Sequence, residues 1–277
     1  MELGVTVFMT DLVAPPAVVA REAEARGFAS FYLPEHTHMP VVLDSLPPGV
    51  QAEVDVGYRR TLDPWIALAT AASLTTNIRL GTGVALVAQH DPIALAKQIA
   101  TLDHLSHGRV VLGVGYGWNQ AEMRHHGIDP AQRRSVLHDY VAAMQALWAD
   151  DIAAHDGPHV SFAESWAWPK PIQRPRVKTL VGGAPTRRLF KEIARWADGW
   201  MPFGGAGVAA ARPLLAEAFE AVGRDPSTAS IVPFGTIPSE EKLAYFESLG
   251  IEEVVLRLPP AGEQDIRSAL DDLARFL

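Results

Sequence analysis

Residues 78–119 read IRLGTGVALVAQHDPIALAKQIATLDHLSHGRVVLGVGYGWN. This stretch predicts a strand over residues 78–85 and a helix that begins at Asp91-Pro92, where Asp is a good N-cap and Pro suits the first helical position. The helix ends near residues 104–108, and a second strand follows over 109–114. A strand, a helix and a strand in this order are typical of parallel α/β proteins.

The same alternation continues on both sides of this stretch and gives eight strand–helix units. The expected strands cover residues 3–9, 30–33, 78–85, 109–114, 179–181, 199–202, 229–234 and 253–258. Eight such units close a TIM barrel. An open, doubly wound sheet is the alternative, but it would normally place a glycine-rich turn after the first strand, where this chain has MTDLVAP. We expect one α/β domain over residues 1–277, a (β/α)8 TIM barrel with a long strand-two loop near 34–60 and an excursion near 155–173.

Composition limits the classes of function. The chain has 277 residues, 24 basic and 32 acidic side chains, a net charge of −8 and no cysteine. The absence of cysteine excludes disulfides, thiolate metal sites and a cysteine nucleophile. The acidic balance argues against nucleic-acid or membrane binding as the main role. The N-terminus lacks the pattern of a signal peptide and no apolar run is long enough to span a bilayer, so we expect a cytoplasmic protein.

The end of the second expected strand carries the sharpest polar motif, Glu35-His36-Thr37-His38. Alternation along a strand can place His36 and His38 on one side, as in barrel metallohydrolases. The further His and Asp ligands of such a site are missing from the later strand ends, so we expect no metal. Simple hydrogen bonding within the loop is the other alternative.

Two glycine-rich segments follow other strands, at residues 113–117 and at Gly182-Gly183. Glycine at a strand end lets a backbone approach a flat or anionic ligand closely, although it can equally relieve crowding at the barrel rim. Arg187, Arg188 and Lys191 stand in the first turns of the helix after Gly183, where backbone N–H groups favour a phosphate. Together these features indicate a large, mostly uncharged cofactor with an anionic tail.

Several longer motifs carry a family resemblance. They are GFASFYLPEHTHMP at 27–40, YRRTLDPWIALATAAS at 58–73, the stretch 78–119, PKPIQRP at 169–175, LVGGAP at 180–185 and ADGWMP at 197–202. In this order they resemble the luciferase-like monooxygenase superfamily, and most closely its actinobacterial branch of probable F420-dependent oxidoreductases. The resemblance covers roughly residues 1–205.

The resemblance implies a TIM barrel that binds coenzyme F420, or alternatively FMN, at the C-terminal mouth. It implies a catalytic His36 with an acidic neighbour, Glu35, and a cis peptide between Gly83 and Val84. With the end of strand one added, the expected cofactor contacts are Met9, Gly83, Val84, Gly115, Tyr116, Gly117, Trp118, Asn119, Gly182 and Gly183.

The resulting hypothesis is hydride transfer between F420 and a small organic substrate. Pro40 and Trp118 stand near the positions where sugar-phosphate dehydrogenases of this family carry Trp and Glu, which argues against a sugar phosphate. A two-component FMN monooxygenase supplied by a reductase and a non-catalytic flavin-binding protein are the alternatives. We also expect a homodimer.

Overall fold

Eight parallel strands form a nearly closed barrel in the computed structural model, which describes residues 1–44, 46 and 54–277. The strands are β1 (Glu2–Thr6), β2 (Ser30–Leu33), β3 (Arg79–Thr82), β4 (Val110–Val114), β7 (Lys178–Gly182), β8 (Gly199–Met201), β9 (Ser230–Ile231) and β10 (Glu253–Arg257). Each pairs with its neighbours in the order β10-β1-β2-β3-β4-β7-β8-β9. A parallel bridge between Thr236 and Leu256 links the segment after β9 to β10 and brings the two edges together.

Helices surround the barrel. They are α1 (Pro16–Ala25), α2 (Val56–Arg59), α3 (Pro64–Ser73), α4 (Pro92–Leu105), α5 (Gln120–His125), α6 (Arg133–Ala149), α7 (Arg187–Trp196), α8 (Val208–Glu220), α9 (Glu240–Ser248) and α10 (Glu263–Ala274). The Asp-Pro starts of α3 and α4 are confirmed: the Asp63 carboxylate accepts from Ile66 N and that of Asp91 from Ala94 N, each at 2.8 Å. No helix in the described ranges is long and apolar enough to cross a membrane.

Side chains of alternate residues fill the barrel in layers, because successive residues of a strand face opposite sides. A polar layer lies at the N-terminal end, where Glu253 accepts a hydrogen bond from Ser30 at 2.5 Å and pairs with Arg79 at 3.1 Å. The middle layer is apolar and buried; it contains Tyr32, Val111, Leu180, Met201, Val232 and Val255. The positions one layer higher, two residues further along each strand, therefore form the C-terminal mouth.

Residues 153–177 leave the barrel between α6 and β7. An antiparallel hairpin of β5 (Ala153–Asp156) and β6 (Ser161–Ser165) comes first. The buried Asp103 then holds the following segment by accepting hydrogen bonds from the backbone of Ile172 and Gln173. The long loop after β2 contains the short helix α2; residues 45 and 47–53 of that loop lie outside the described part of the chain.

Candidate active site

The floor of the mouth is apolar and is built around the Gly83–Val84 peptide, which is cis as the resemblance implies. A methyl group added to Gly115 would collide with the Val84 side chain, and one added to Gly182 would lie 2.9 Å from it. Similarly, a methyl group on Gly83 would collide with the ring of Phe234. These glycines therefore make room for Val84 and Phe234, so relief of crowding explains their residue type.

His36 lies beside this floor, 8% exposed. Its Nδ1 is 2.8 Å from a carboxylate oxygen of Glu122, whereas its Nε2 has no hydrogen-bond partner within the described ranges. The rings of Tyr58 and Trp118 lie 5.3 Å and 5.5 Å from the imidazole, centroid to centroid. Because an ionised carboxylate only accepts hydrogen bonds, Nδ1 carries a proton and Nε2 is left available at the mouth.

Glu122 is completely buried and was not identified from the sequence. It stands in the first turn of α5, which Asn119 caps by accepting from Glu122 N at 3.2 Å. Its second oxygen accepts from Thr37 N at 3.0 Å, so one carboxylate holds two consecutive residues after β2. The signal available in the sequence was the Asn-x-x-Glu spacing of a helix start, which places an acidic side chain back over the preceding loop.

Glu35 points the opposite way from His36 and supports another loop. Its oxygens accept from Leu86 N at 2.6 Å and pair with His90 Nε2 at 2.8 Å. Burial lowers the pKa of His90, but the hydrogen bond and the charge of Glu35 outweigh it and raise the pKa. Both oxygens are therefore occupied away from the mouth, where they support the loop at Leu86 and His90, and the catalytic role expected for Glu35 stays a prediction.

The motif's second histidine, His38, joins a different cluster. Its Nε2 lies 2.8 Å from His125 Nδ1, and Thr37 Oγ1 bridges His38 and His126 at 3.0 Å and 2.6 Å. In the described ranges, no three His, Cys, Asp or Glu side chains are arranged to hold a metal. His36 and His38 thus make hydrogen bonds with different partners, Glu122 and His125.

Three of the expected cofactor contacts have side chains elsewhere. Met9 is 1% exposed in the core between barrel and helices, and Asn119 is used in capping α5. The Tyr116 hydroxyl donates to Glu192 on α7, and burial together with this carboxylate raises the pKa of Tyr116. Met9 and Asn119 are buried, so a contact of either with a cofactor would have to come from its backbone, whereas the ring of Tyr116 is half-buried.

The segment after β7 is the open part of the rim. Residues 183–188 are exposed, and the hydroxyl of Thr186 caps α7 by accepting from Leu189 N at 3.1 Å. Arg187 pairs with Glu217 at 2.9 Å and Arg188 with Glu192 at 3.2 Å, both with more than half of the arginine side chain exposed. This helix start keeps free N–H groups and nearby cations for an anion.

Strand parity identifies further mouth residues that the sequence reading passed over. Phe8, rather than Met9, continues the inward series of β1; its ring lies 4.6 Å from Tyr58. Phe234, two residues after Val232, and Arg257, two residues after Val255, face the interior of the barrel in the same way. Arg257 therefore adds an exposed, charged side chain to the mouth.

Known proteins are similar to this chain in sequence and in fold. The family model for luciferase-like monooxygenases matches residues 16–246. The chain belongs to the luciferase-like monooxygenase family. An uncharacterized protein of Mycobacterium tuberculosis strain H37Rv is 46% identical over 280 residues, which cover 100% of this chain and 99% of that one.

Solved structures share the family fold. An F420-dependent secondary alcohol dehydrogenase, in complex with an F420-acetone adduct, superposes with a TM-score of 0.78 at 16% identity, covering 100% of this chain and 98% of that chain. The oxygenating constituent of 3,6-diketocamphane monooxygenase from Pseudomonas putida, in complex with FMN, gives a TM-score of 0.65 at 19% identity, covering 89% and 70%. The family fold is thus found with F420 and with FMN.

Proposed function

We propose that this protein is a cytoplasmic, F420-dependent oxidoreductase that transfers a hydride between the deazaflavin and a small organic substrate. The observation that carries the proposal is His36: buried beside the mouth, fixed at Nδ1 by Glu122 and available at Nε2. The motifs shared with the F420-dependent branch support the choice of cofactor.

The residues at the mouth fit a flat ring with an anionic tail. Val84 and Phe234 form an apolar surface, and Trp118 adds a half-buried aromatic side chain. The exposed helix start after Gly183 offers N–H groups and arginines to a phosphate. When bound there, F420 supplies a ring carbon that donates or accepts a hydride.

His36 manages the proton that accompanies the hydride. In the direction of alcohol oxidation, Nε2 accepts the hydroxyl proton, and Glu122 stabilises the imidazolium through Nδ1. In the direction of carbonyl reduction, the same nitrogen returns the proton to the substrate oxygen. The rings of Tyr58 and Trp118 pack around the imidazole and limit the access of water.

A cofactor titration tests the proposal. We expect the purified protein to quench the fluorescence of F420 with a lower Kd than that of FMN; tighter binding of FMN would refute the choice of cofactor. His36→Ala should bind F420 normally and lose turnover by about 10²–10⁴-fold. The control His104→Ala, at an exposed position in the last turn of α4, should be active. Near-normal turnover of His36→Ala would remove His36 from the mechanism.

A two-component FMN monooxygenase is the second candidate, favoured by the family to which the chain belongs. It shares the fold and the apolar mouth but consumes oxygen and depends on a partner reductase for reduced flavin. The same titration, followed by oxygen-uptake measurements with reduced FMN, separates the two. Tight cofactor binding without turnover on any substrate would instead indicate a flavin-binding protein.

We also propose a homodimer formed through α3. This helix, PWIALATAAS, has no charged residue, yet Ile66 is 70% exposed, and Ala69, Thr70 and Ser73 are exposed beside it. An uncharged outer face is unusual for a surface helix. A second copy of the chain would bury it.

A further inference from the structure

Arg257 is a cation at the C-terminal end of β10. Its side chain lies on the interior face of the barrel. The strand places Glu253 on that face, where it bonds Ser30, and Val255 in the buried middle layer. The strand is regular from Glu253 to Arg257, so Arg257 faces the same side, one layer above Val255. This position is at the mouth.

The charge of Arg257 is not neutralised by a described carboxylate. Two other arginines at this end of the barrel are paired: Arg60 with Asp11, and Arg124 with Asp44 at 2.7 Å. No carboxylate of the described ranges lies within ion-pair distance of Arg257. Burial raises the pKa of Tyr58, and the positive charge of Arg257 acts against this increase. Arg257 is therefore close enough to Tyr58 for its charge to act inside the mouth.

The surroundings of Arg257 are apolar. Phe8 and Tyr58 pack against each other at the end of β1, the strand paired with β10. On the other side, Phe234 follows β9, and the large side chains of Phe203 and Ile237 are 72% and 71% exposed at the same end of the barrel. Exposed apolar side chains of this size around a concave site are typical of contacts with an apolar ligand.

We propose that Arg257 is a specificity-determining residue that anchors the carboxylate of an otherwise apolar substrate, so that the substrates are organic acids with a hydrocarbon body. The proposal rests on the proposed function for the identity of the reacting site. A guanidinium presents two parallel N–H donors that match a carboxylate, and this pairing is strengthened in an apolar environment. The aromatic side chains then contact the hydrocarbon, and the reacting carbon lies at a distance from the carboxylate.

Three small probes separate charge from apolar contact. Octanoate has both features, methyl octanoate has the chain without the charge, and acetate has the charge without the chain. Isothermal titration of the cofactor-saturated wild type should show octanoate binding about tenfold or more tighter than either of the others. Arg257→Met should abolish the preference for octanoate over its ester, and Arg257→Lys should retain part of it.

A matched control tests general electrostatic attraction. Arg59→Met removes the same charge from an exposed position of α2 at the same end and should leave octanoate binding unchanged. The proposal is overturned if octanoate and its ester bind alike, if octanoate does not bind at millimolar concentration, or if Arg59→Met loses as much affinity as Arg257→Met. A loss of F420 or FMN affinity in Arg257→Met, with octanoate preference intact, would assign Arg257 to the cofactor instead.

Failure of the proposed function gives a different pattern. If the wild type binds neither cofactor, the oxidoreductase proposal fails, and the probes are then titrated against the free protein. Loss of the octanoate preference in Arg257→Met under those conditions would still support an organic-acid site at Arg257. Equal binding of octanoate and methyl octanoate to the free protein would refute the site as well.

Discussion

Replacement of Glu122 by Gln is expected to switch the tautomer of His36 without unfolding the protein. Glu122 accepts from Thr37 N at 3.0 Å and from His36 Nδ1 at 2.8 Å. The backbone N–H of Thr37 can only donate, so in the variant the amide oxygen must face Thr37. The amide NH2 then faces His36, Nδ1 must accept, and the ring proton moves to Nε2.

The magnitude follows from these two hydrogen bonds. Both are retained in Glu122→Gln, so we expect its free energy of unfolding to stay within about 1 kcal/mol of the wild type. Glu122→Ala leaves the donors of the buried His36 and of the partly buried Thr37 N–H without a partner, at about 1–3 kcal/mol each. At about 2–4 °C per kcal/mol, Tm should then fall by roughly 4–24 °C. Turnover should fall by about 10²–10⁴-fold in both variants, because in the Gln variant the proton on Nε2 blocks the base.

The assay is nitrogen NMR of the protein labelled at histidine, with His36 assigned from the spectrum lost in His36→Asn. The wild type should show a protonated Nδ1 and an unprotonated Nε2, and Glu122→Gln should show the reverse. Thermal unfolding of both Glu122 variants supplies the stability comparison. A wild type already protonated at Nε2 alone, or a Gln variant that keeps the proton on Nδ1, would refute the reasoning.

Other substitutions test the packing of Gly115 in the floor of the mouth, the Glu35–His90 pair and the proposed dimer through α3. Gly115→Ala forces a methyl group into the floor and should cost about 1–3 kcal/mol in thermal unfolding. Gly262→Ala, with open space around it, should cost less, under about 1 kcal/mol for a poorer N-cap of α10. The pKa of His90 is higher in the fold than its ordinary 6.5, so its imidazolium stabilises the protein below about pH 6.5, and this contribution disappears as pH rises through the folded-state pKa. Glu35→Gln should flatten that dependence in Tm measured from pH 5.5 to 8.5, and an unchanged profile would contradict it. Ile66→Lys should yield monomers in sedimentation velocity with an unchanged circular dichroism spectrum, and an intact dimer would exclude the α3 interface.

The barrel could be predicted because local signals repeat along the chain. Asp63-Pro64 and Asp91-Pro92 mark the starts of helices, and the intervening β-branched runs form strands at the expected places. Strand limits were less accurate near β9, where only Ser230 and Ile231 are regular strand and the ladder continues irregularly toward Thr236.

The site was harder to predict because it depends on which way each side chain points. Met9 and Phe8 are adjacent and face opposite sides of the strand. If the inward-facing side is assigned to the wrong one of the two, a core residue is predicted in place of a mouth residue. Glu122 lies 86 residues from its partner His36. Their contact arises because the loops after β2 and β4 meet although β3 lies between the two strands, and the Asn-x-x-Glu spacing at Glu122 does not identify His36 as the partner.

The opposite directions of Glu35 and His36 have a consequence for where this chain can accept insertions. Two adjacent residues tie the end of β2 to two separate loops, one through Leu86 and His90 and the other through Glu122. Insertion or deletion of a single residue before this pair would exchange their directions and break both ties at once. The chain beyond Thr37 is free of this constraint, so the loop that follows can become longer or shorter while His36, the proposed acid and base, stays in place.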